Sequence, residues 1–404
     1  MKVAALLPDY LDKPMGGLGV QFMNMYAHLK DRVDYYIVGY PEKPKVKHFK
    51  GNLNPFKNFE YPTINNIYHQ LLFYHNMLEY KVDFDIIHCY DWSTALAGVY
   101  LSRHFNKPLI YGMNLSAKHL NLTGTYFSND MQSMDGAFLN YFMTCVEELG
   151  LDYANRIVHV SKFYDGLYPQ YQNKSVLIQN GLNLAEWQPK KVPTLPGKNK
   201  IKVCFIGRIS HMKGIDMITN CNIPDNIDFY FVGGRKGAEP GPWEAILRKV
   251  NNKNIFFIKG LFDQDKIDFL FAMDAVVMPS RHEPAGIVAM EALISKNVFI
   301  TTATGGIAET VEGIDYFECH TSEELQKCLE QLTTLSEKDL NVFKNSGYKK
   351  MLERDWSKSA DKLYNLYQEV QWEPAVPDQG RSLEDSIKAL EDFHNNEQGF
   401  FLTH

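Results

Sequence analysis

The stretch SRHEPAGIVAMEAL (280–293) places Glu283 and Glu291 eight positions apart, across Pro284 and Gly286. On one continuous helix the two carboxylates would stand roughly 80° apart and about 12 Å along the axis, a poor geometry for a pair. If Glu283 instead precedes the helix and Glu291 lies inside it, both can face a ligand at the helix N-terminus. There the first-turn N–H groups near Gly286, Ile287 and Val288 can receive an anion. Glu291 could then accept two hydroxyl hydrogen bonds, as from a ribose, and Glu283 could accept from a sugar hydroxyl. The plain alternative for a glutamate among Ile287, Val288, Met290, Ala292 and Leu293 is a buried salt bridge.

A second set of charges fits the same ligand. GRISHMKG (207–214) offers Arg208 and Lys213 from one loop, with Gly207 and Gly214 permitting the turns. Two cations there suit a diphosphate that must leave carrying new negative charge. Gly16, Gly17 and Gly19 follow the first apolar run, where absent side chains let backbone N–H groups approach a phosphate. They do not spell the GxGxxG fingerprint, which disfavours NAD. Tight packing is the alternative reading of those glycines.

The elements that must position these residues alternate between strands and helices. KVAALLP (2–8), YYIVGY (35–40), FDIIHCYDW (84–92), PLIYGMN (108–114), RIVHVS (156–161) and SVLIQNGL (175–182) read as strands. After KKVPTLPGKNK (190–200) the pattern restarts with IKVCFIGRIS (201–210), DFYFVGG (228–234), NIFFIKG (254–260), DAVVMPS (274–280) and VFITT (298–302). This predicts two doubly wound α/β halves, each a parallel sheet with helices on both faces. The domains are expected over 1–190 and 191–355, with 322–372 helical and 373–404 a polar appendage. In such sheets ligands bind beyond the carboxyl ends of the strands, where the residues above fall.

Bulk properties agree with two cores. The chain has 404 residues, 45% of them hydrophobic, too many for one ordinary core. Its six cysteines are scattered, with no CxxC and no zinc spacing, which predicts a reducing compartment and no metal. No run approaches the ~20 apolar residues of a membrane helix, and the opening is cut by Pro8 and Asp9, so a cytoplasmic protein without leader is expected. The Asn-x-Ser/Thr triplets at Asn114, Asn121 and Asn173 are then chance. The formal charge is −6, and 373–404 holds seven acids against two bases, leaving the rest nearly neutral. PEKPKVKHFKGNLNPFK (41–57), with five lysines, reads as a solvated loop or a local contact for an anionic partner.

Together GGLG (16–19), HCYDW (88–92), VSKF (160–163), NGLN (180–183), GRISHMKG (207–214), PSRHEPAGIVAMEAL (279–293) and ATGGIAETV (303–311) resemble the retaining GT-B glycosyltransferases of family 4 and the glycogen and starch synthases. The resemblance covers about residues 1–372. It implies two Rossmann-like domains facing a cleft, a nucleoside-diphosphate sugar as donor, a UDP-sugar favoured, and neither cofactor nor metal. It gives Glu283 the sugar hydroxyls, Glu291 the ribose, and Arg208 with Lys213 the diphosphate, assisted by Gly16 and Gly17. It further implies retention by front-face attack, and a last helix, about 356–372, that crosses back to the first domain. His88 and Asp91 match "HAHDW", with structural and acceptor-side roles both open.

Two positions depart from the pattern. Where the family places a histidine after the fourth strand, this chain has Met113, which cannot serve a sugar hydroxyl well. His119, six residues on, is a candidate substitute. The lysine that glycogen synthases carry two residues before the glycine pair is Pro14 here, beside Lys13, which weakens that specific reading. The acceptor is left open among a glucan, lipid, protein, small molecule or modified DNA base, the last disfavoured by near-neutral charge. The alternative to an enzyme is a catalytically impaired nucleotide-sugar-binding regulatory protein; an epimerase of like architecture fits the motifs less well.

Overall fold

The computed structural model describes residues 1–7, 16–38, 70–71, 74–75, 77–78, 83–122, 134–233 and 254–378. Lys13, Pro14, the lysine-rich run 41–57 and the appendage beyond 378 lie outside the described residues. Two six-stranded sheets carry the fold. The first runs β1 (Lys2–Leu6), β2 (Asp34–Val38), β3 (Ile86–Tyr90), β4 (Leu109–Met113), β5 (Arg156–His159) and β6 (Ser175–Leu177), in spatial order 2-1-3-4-5-6. The second runs β7 (Ile201–Ile206), β8 (Ile227–Gly233), β9 (Ile255–Lys259), β10 (Ala275–Met278), β11 (Val298–Thr301) and β12 (Phe317–Glu318), in order 9-8-7-10-11-12. All the strand pairs are parallel.

The strands read as unbroken apolar runs because both faces of each sheet are covered. In β1, Ala4 and Leu6 enter one core with Ile87, Leu109 and Ile157, while Val3 and Ala5 enter another with Ile86, Ile110 and Val158. The second sheet divides in the same way, Cys204 and Val276 on one face, Val203 and Val277 on the other. This is the expected α/β GT-B architecture.

The helices that matter below are α1 (Gly17–Leu29), α2 (Trp92–Phe105), α3 (Ala117–Leu122), α4 (Met134–Tyr153), α5 (Lys162–Leu167), α6 (Ile215–Thr219), α7 (Asp263–Phe271), α8 (Ile287–Ile294), α9 (Gly306–Val311), α10 (Ser322–Thr334), α11 (Glu337–Met351) and α12 (Trp356–Val370). Helix α12 buries Trp356, Ala360, Leu363, Leu366, Tyr367 and Val370 in the first sheet's core, against Phe22 and Met25 of α1. The chain therefore passes between the two sheets twice. At the crossing Leu182 and Asp355 form an isolated parallel bridge, with the Leu182 N–H on the Arg354 carbonyl at 2.9 Å and the Trp356 N–H on the Leu182 carbonyl at 3.2 Å.

The differences from the sequence reading are local. The apolar run 175–182 forms only the three-residue β6, because the chain then leaves the sheet for the crossing at Leu182. The two-residue β12 lies beyond β11, where only the Ile300–Phe317 and Thr301–Glu318 pairs form. The start of the acidic appendage is held on the first sheet's side, with Glu373 paired to Arg156 at 2.7 Å and the Tyr153 hydroxyl on Asp378 at 2.8 Å. Among the described residues no helix is long and apolar enough to cross a membrane.

Candidate active site

In each sheet the strand order reverses beside the first strand, between β1 and β3 and between β7 and β10. A crevice opens at such a point, beyond the carboxyl ends of the strands. The second sheet's crevice holds the charged residues. Gly207 leaves β7 and Lys213 ends a single 3-10 turn, His211–Lys213. Gly214 closes that turn at φ +68°, and a Cβ there would come within 1.9 Å of the Pro279 carbonyl oxygen. Only glycine lets the loop lie this close to the strand end. Arg281 then ties the two loops: it donates to both Asp216 oxygens at 2.7 and 2.5 Å and to the His211 carbonyl at 2.8 Å. Burial pushes the Asp216 carboxyl up, but the Arg281 guanidinium outweighs this and holds it below the usual range.

On that frame Lys213 and Glu283 form an ion pair, both largely buried. Gly306 donates its N–H to the Glu283 carbonyl at 2.8 Å, and a Cβ on Gly305 or Gly306 would run into the Glu283 and Pro284 backbone, at 2.4 and 2.0 Å. The glycine pair thus holds Glu283 ahead of α8. Gly286 caps α8 without a side-chain bond, leaving the first-turn N–H groups, Ile287 and Val288 included, for an outside acceptor. Glu291, one turn further in, is 3% exposed and pairs through Oε1 with Lys266 of α7. Its Oε2 is buried with no hydrogen-bond partner. The salt bridge and the free oxygen coexist, so the two readings of Glu291 in the sequence are not exclusive. Arg208 is exposed and makes no ion pair or hydrogen bond among the described residues.

The first sheet contributes backbone and shape. Gly16 caps α1 without a side-chain bond, and a Cβ on Gly17 would touch Ile287 Cδ1 at 3.7 Å, so α1 and α8 meet across the crevice. Gly19 is buried in the helix packing. Asp91 ends β3 at φ 56° and ψ 175°, a strained backbone for a residue with a Cβ. Its Oδ1 accepts from the Asn114 and Leu115 N–H groups at 2.7 and 3.0 Å, fixing the loop after β4. Burial pushes its carboxyl up to about 7, against the pull of those two bonds.

His119 on α3 stands against His282, ring centroids 4.9 Å apart, and against Phe163 at 5.1 Å. Met113 itself ends β4, buried in the first sheet's core at 0% exposure. His282 bonds the Tyr164 hydroxyl at 2.6 Å and is pushed down to about 3 by burial first, with His119 and Lys213 adding to it. Glu147, fully buried, anchors α3: it accepts from Ser116 Oγ at 3.0 Å, Ala117 N at 2.6 Å and the Tyr168 hydroxyl at 2.5 Å.

His88 lines a small cavity on the first sheet's side with Gln21, Gly112 and Asn114. It is 1% exposed in β3, bonded through Nδ1 to the Tyr367 hydroxyl at 2.7 Å and stacked on Tyr90. Burial pushes its imidazole down to about 3, so it stays neutral. Nδ1 serves the internal role through Tyr367, while Nε2 is buried without a hydrogen-bond partner among the described residues. Arg281, Lys266, Tyr164, His282 and Glu147 escaped the sequence reading; each has its partner 21 to 118 positions away.

Lys213 and Arg208, the α8 amides and the uncapped end of α1 can surround a polyanion. Glu283 and Glu291 can order hydroxyls on either side of it. Comparison with known proteins gives this arrangement a family. The signature described as glycosyl transferases group 1 matches residues 188–350, and that of the starch synthase catalytic domain matches 2–172. Glycogen synthase of Thermodesulfovibrio yellowstonii is 26% identical over 358 residues, 71% of this chain and 69% of its own. Among solved structures, sucrose-phosphate synthase from Thermosynechococcus elongatus superposes with a TM-score of 0.74 at 16% identity, covering 91% of this chain and 98% of the other. Anabaena HepE, solved in complex with UDP-glucose, does so at 0.66 and 17%, covering 91% and 100%. By signature over both halves and by fold, the chain belongs to the GT-B glycosyltransferases.

Proposed function

We propose that the protein transfers a sugar, with retention of anomeric configuration, from a nucleoside-diphosphate sugar to a hydroxyl acceptor. The observation that carries this reading is Glu291. A carboxylate oxygen buried without a partner inside an anion-ready helix turn costs stability unless a ligand's hydroxyl meets it. The ribose of the donor supplies that hydroxyl. The diphosphate lies between Arg208, Lys213 and the first-turn amides of α8, with Gly16 and Gly17 closing from the other sheet. Lys213 then exchanges its pairing with Glu283 for the phosphate, freeing Glu283 to order the sugar hydroxyls. HepE's complex with UDP-glucose supports UDP as the carrier.

In the transfer step the bond from the anomeric carbon to the phosphate oxygen breaks as the acceptor oxygen bonds on the same face. The acceptor's proton passes to the departing phosphate. Arg208 and Lys213 stabilise the charge on that phosphate without a metal ion, and closure of the two sheets keeps water out. Asp91 and His119 stand on the acceptor side. The reading as a regulatory binding protein is disfavoured by the presence of Glu283, Glu291, Arg208 and Lys213 together, a more complete donor clamp than binding alone needs.

Slow donor hydrolysis in the absence of acceptor, followed by mass spectrometry over UDP-, GDP-, ADP- and TDP-sugars, tests the proposal. Turnover of one donor is expected, reduced on the order of 10²–10³-fold in Glu283→Ala and in Arg208→Ala. Turnover that survives both substitutions would remove these residues from the site.

A further inference from the structure

The first turn of α5 grips the second sheet's side at two points. The Phe163 N–H donates to Glu309 Oε1 at 2.9 Å, and Gln179 Nε2 donates to Glu309 Oε2 at 2.9 Å. One residue on, the Tyr164 hydroxyl bonds His282 Nε2 at 2.6 Å.

The two gripped residues lie on either side of Glu283. His282 precedes it in the chain, and Glu309 stands on α9, whose first residue donates to the Glu283 carbonyl at 2.8 Å. The contact at Gly305–Gly306 leaves no slack between α9 and the Glu283 backbone, since even a methyl group has no room there. Lys350 holds the other side of α9 through the Glu309 carbonyl at 2.8 Å. Glu309, α9 and Glu283 therefore move as one piece, and α5 of the other half sets where that piece stops.

The surroundings suit a contact that opens and closes. A small polar cavity lies beside it, lined by Ser161, Gln179, Asn180, Glu309, Thr310 and Arg354. Asn180 is 6% exposed with Oδ1 unpartnered, and Arg354, pushed down by burial, is drawn back up by Glu309. Wetting such an interface costs little, because groups left partly unpaired gain water on opening.

We propose that Glu309 is a positioning residue, the latch through which the first turn of α5 sets Glu283 when the cleft closes. This rests on the glycosyl-transfer reading above for what Glu283 does, but not for the latch contact itself. Removing the carboxylate leaves the donor-binding groups in place and shifts the closed population.

Small-angle scattering and donor-hydrolysis kinetics on the full chain, compared for wild type, Glu309→Ala, Glu309→Gln and Gln179→Ala, test it. Glu309→Ala is expected to enlarge the radius of gyration and lower kcat roughly 10- to 100-fold, the loss of two charge-assisted hydrogen bonds. The affinity for UDP should stay within about threefold, since UDP contacts the second sheet's side. Glu309→Gln, which keeps an acceptor for the Phe163 N–H, should recover part of kcat; Gln179→Ala should lose less than Glu309→Ala. Wild-type scattering in Glu309→Ala would overturn the proposal, as would a kcat loss explained by a lowered melting temperature alone. If Glu309→Ala does not fold, Gln179→Ala and Glu309→Gln decide by the same two readouts. Absence of turnover in the wild type would sink the glycosyl-transfer reading, while unchanged scattering would sink the latch, so the two failures are read separately.

Discussion

The two reversal points of the sheets solve the same topological problem with opposite chemistry. Beside β7 and β10 the crevice is built from ion pairs, Lys213–Glu283 and Lys266–Glu291, and a guanidinium, Arg281, that cross-links the two loops. Beside β1 and β3 it is built from uncapped backbone at Gly16 and from one buried carboxylate, Asp91, whose bonds all go to main chain. A charged, dissociating group needs counter-charges that are already paired before it arrives, because an unpaired buried charge is expensive. A neutral hydroxyl acceptor needs only shape and a few oriented dipoles. The asymmetry agrees with the proposed placing of the donor on the second side and the acceptor on the first.

The largest test of that contrast removes a counter-charge from the donor side. Lys266→Ala leaves Glu291 buried with neither oxygen paired, which should lower unfolding stability by about 3–5 kcal/mol. Saturating UDP should restore part of the loss, since ribose hydroxyls then meet Glu291, and it should stabilise the variant more than the wild type. Equal stabilisation of both proteins, read from melting temperatures, would separate Glu291 from the ribose.

The smaller test is a slope on the acceptor side. Asp91 has its folded pKa raised to about 7, so between about pH 4 and 7 the native state keeps a proton that the unfolded chain has released. Its contribution to stability is therefore greatest at low pH and is lost as pH rises through 7. The buried histidines His88 and His282, pushed down to about 3, act in the opposite sense and cost stability as pH falls below about 6.5. Asp91→Asn should keep the bonds to Asn114 and Leu115 and remove only the first dependence. Subtracting its stability–pH curve from the wild type's should leave a fall between about pH 4 and 7. A flat difference would mean that Asp91 is ionised across the range.

The same contrast explains what the sequence disclosed. The donor side was legible because its glycines and charges sit in short runs, GRISHMKG and EPAGIVAMEAL, whose spacing alone suggests a clamp. Most strands were legible too, because burial on both faces writes them as apolar runs. What could not be read were the partners: Lys266 lies 25 residues from Glu291, Tyr164 118 from His282, and Phe163 146 from Glu309. No local pattern encodes which distant residue meets a carboxylate. His88 shows the reverse failure, a polar residue in the middle of β3 whose surroundings include α12, some 280 positions later. The stretches 43–66 and 114–136 of the first half offered no motif, and all of the first and 123–133 of the second lie outside the described residues.

Calorimetric titration of UDP into wild type, Arg208→Ala and Asp91→Asn tests the assignment of the two sides most directly. A weakening of roughly 10- to 100-fold is expected in Arg208→Ala, one charge-assisted contact, and wild-type affinity in Asp91→Asn. Wild-type affinity in Arg208→Ala together with a marked loss in Asp91→Asn would contradict it, placing the nucleotide against the first sheet.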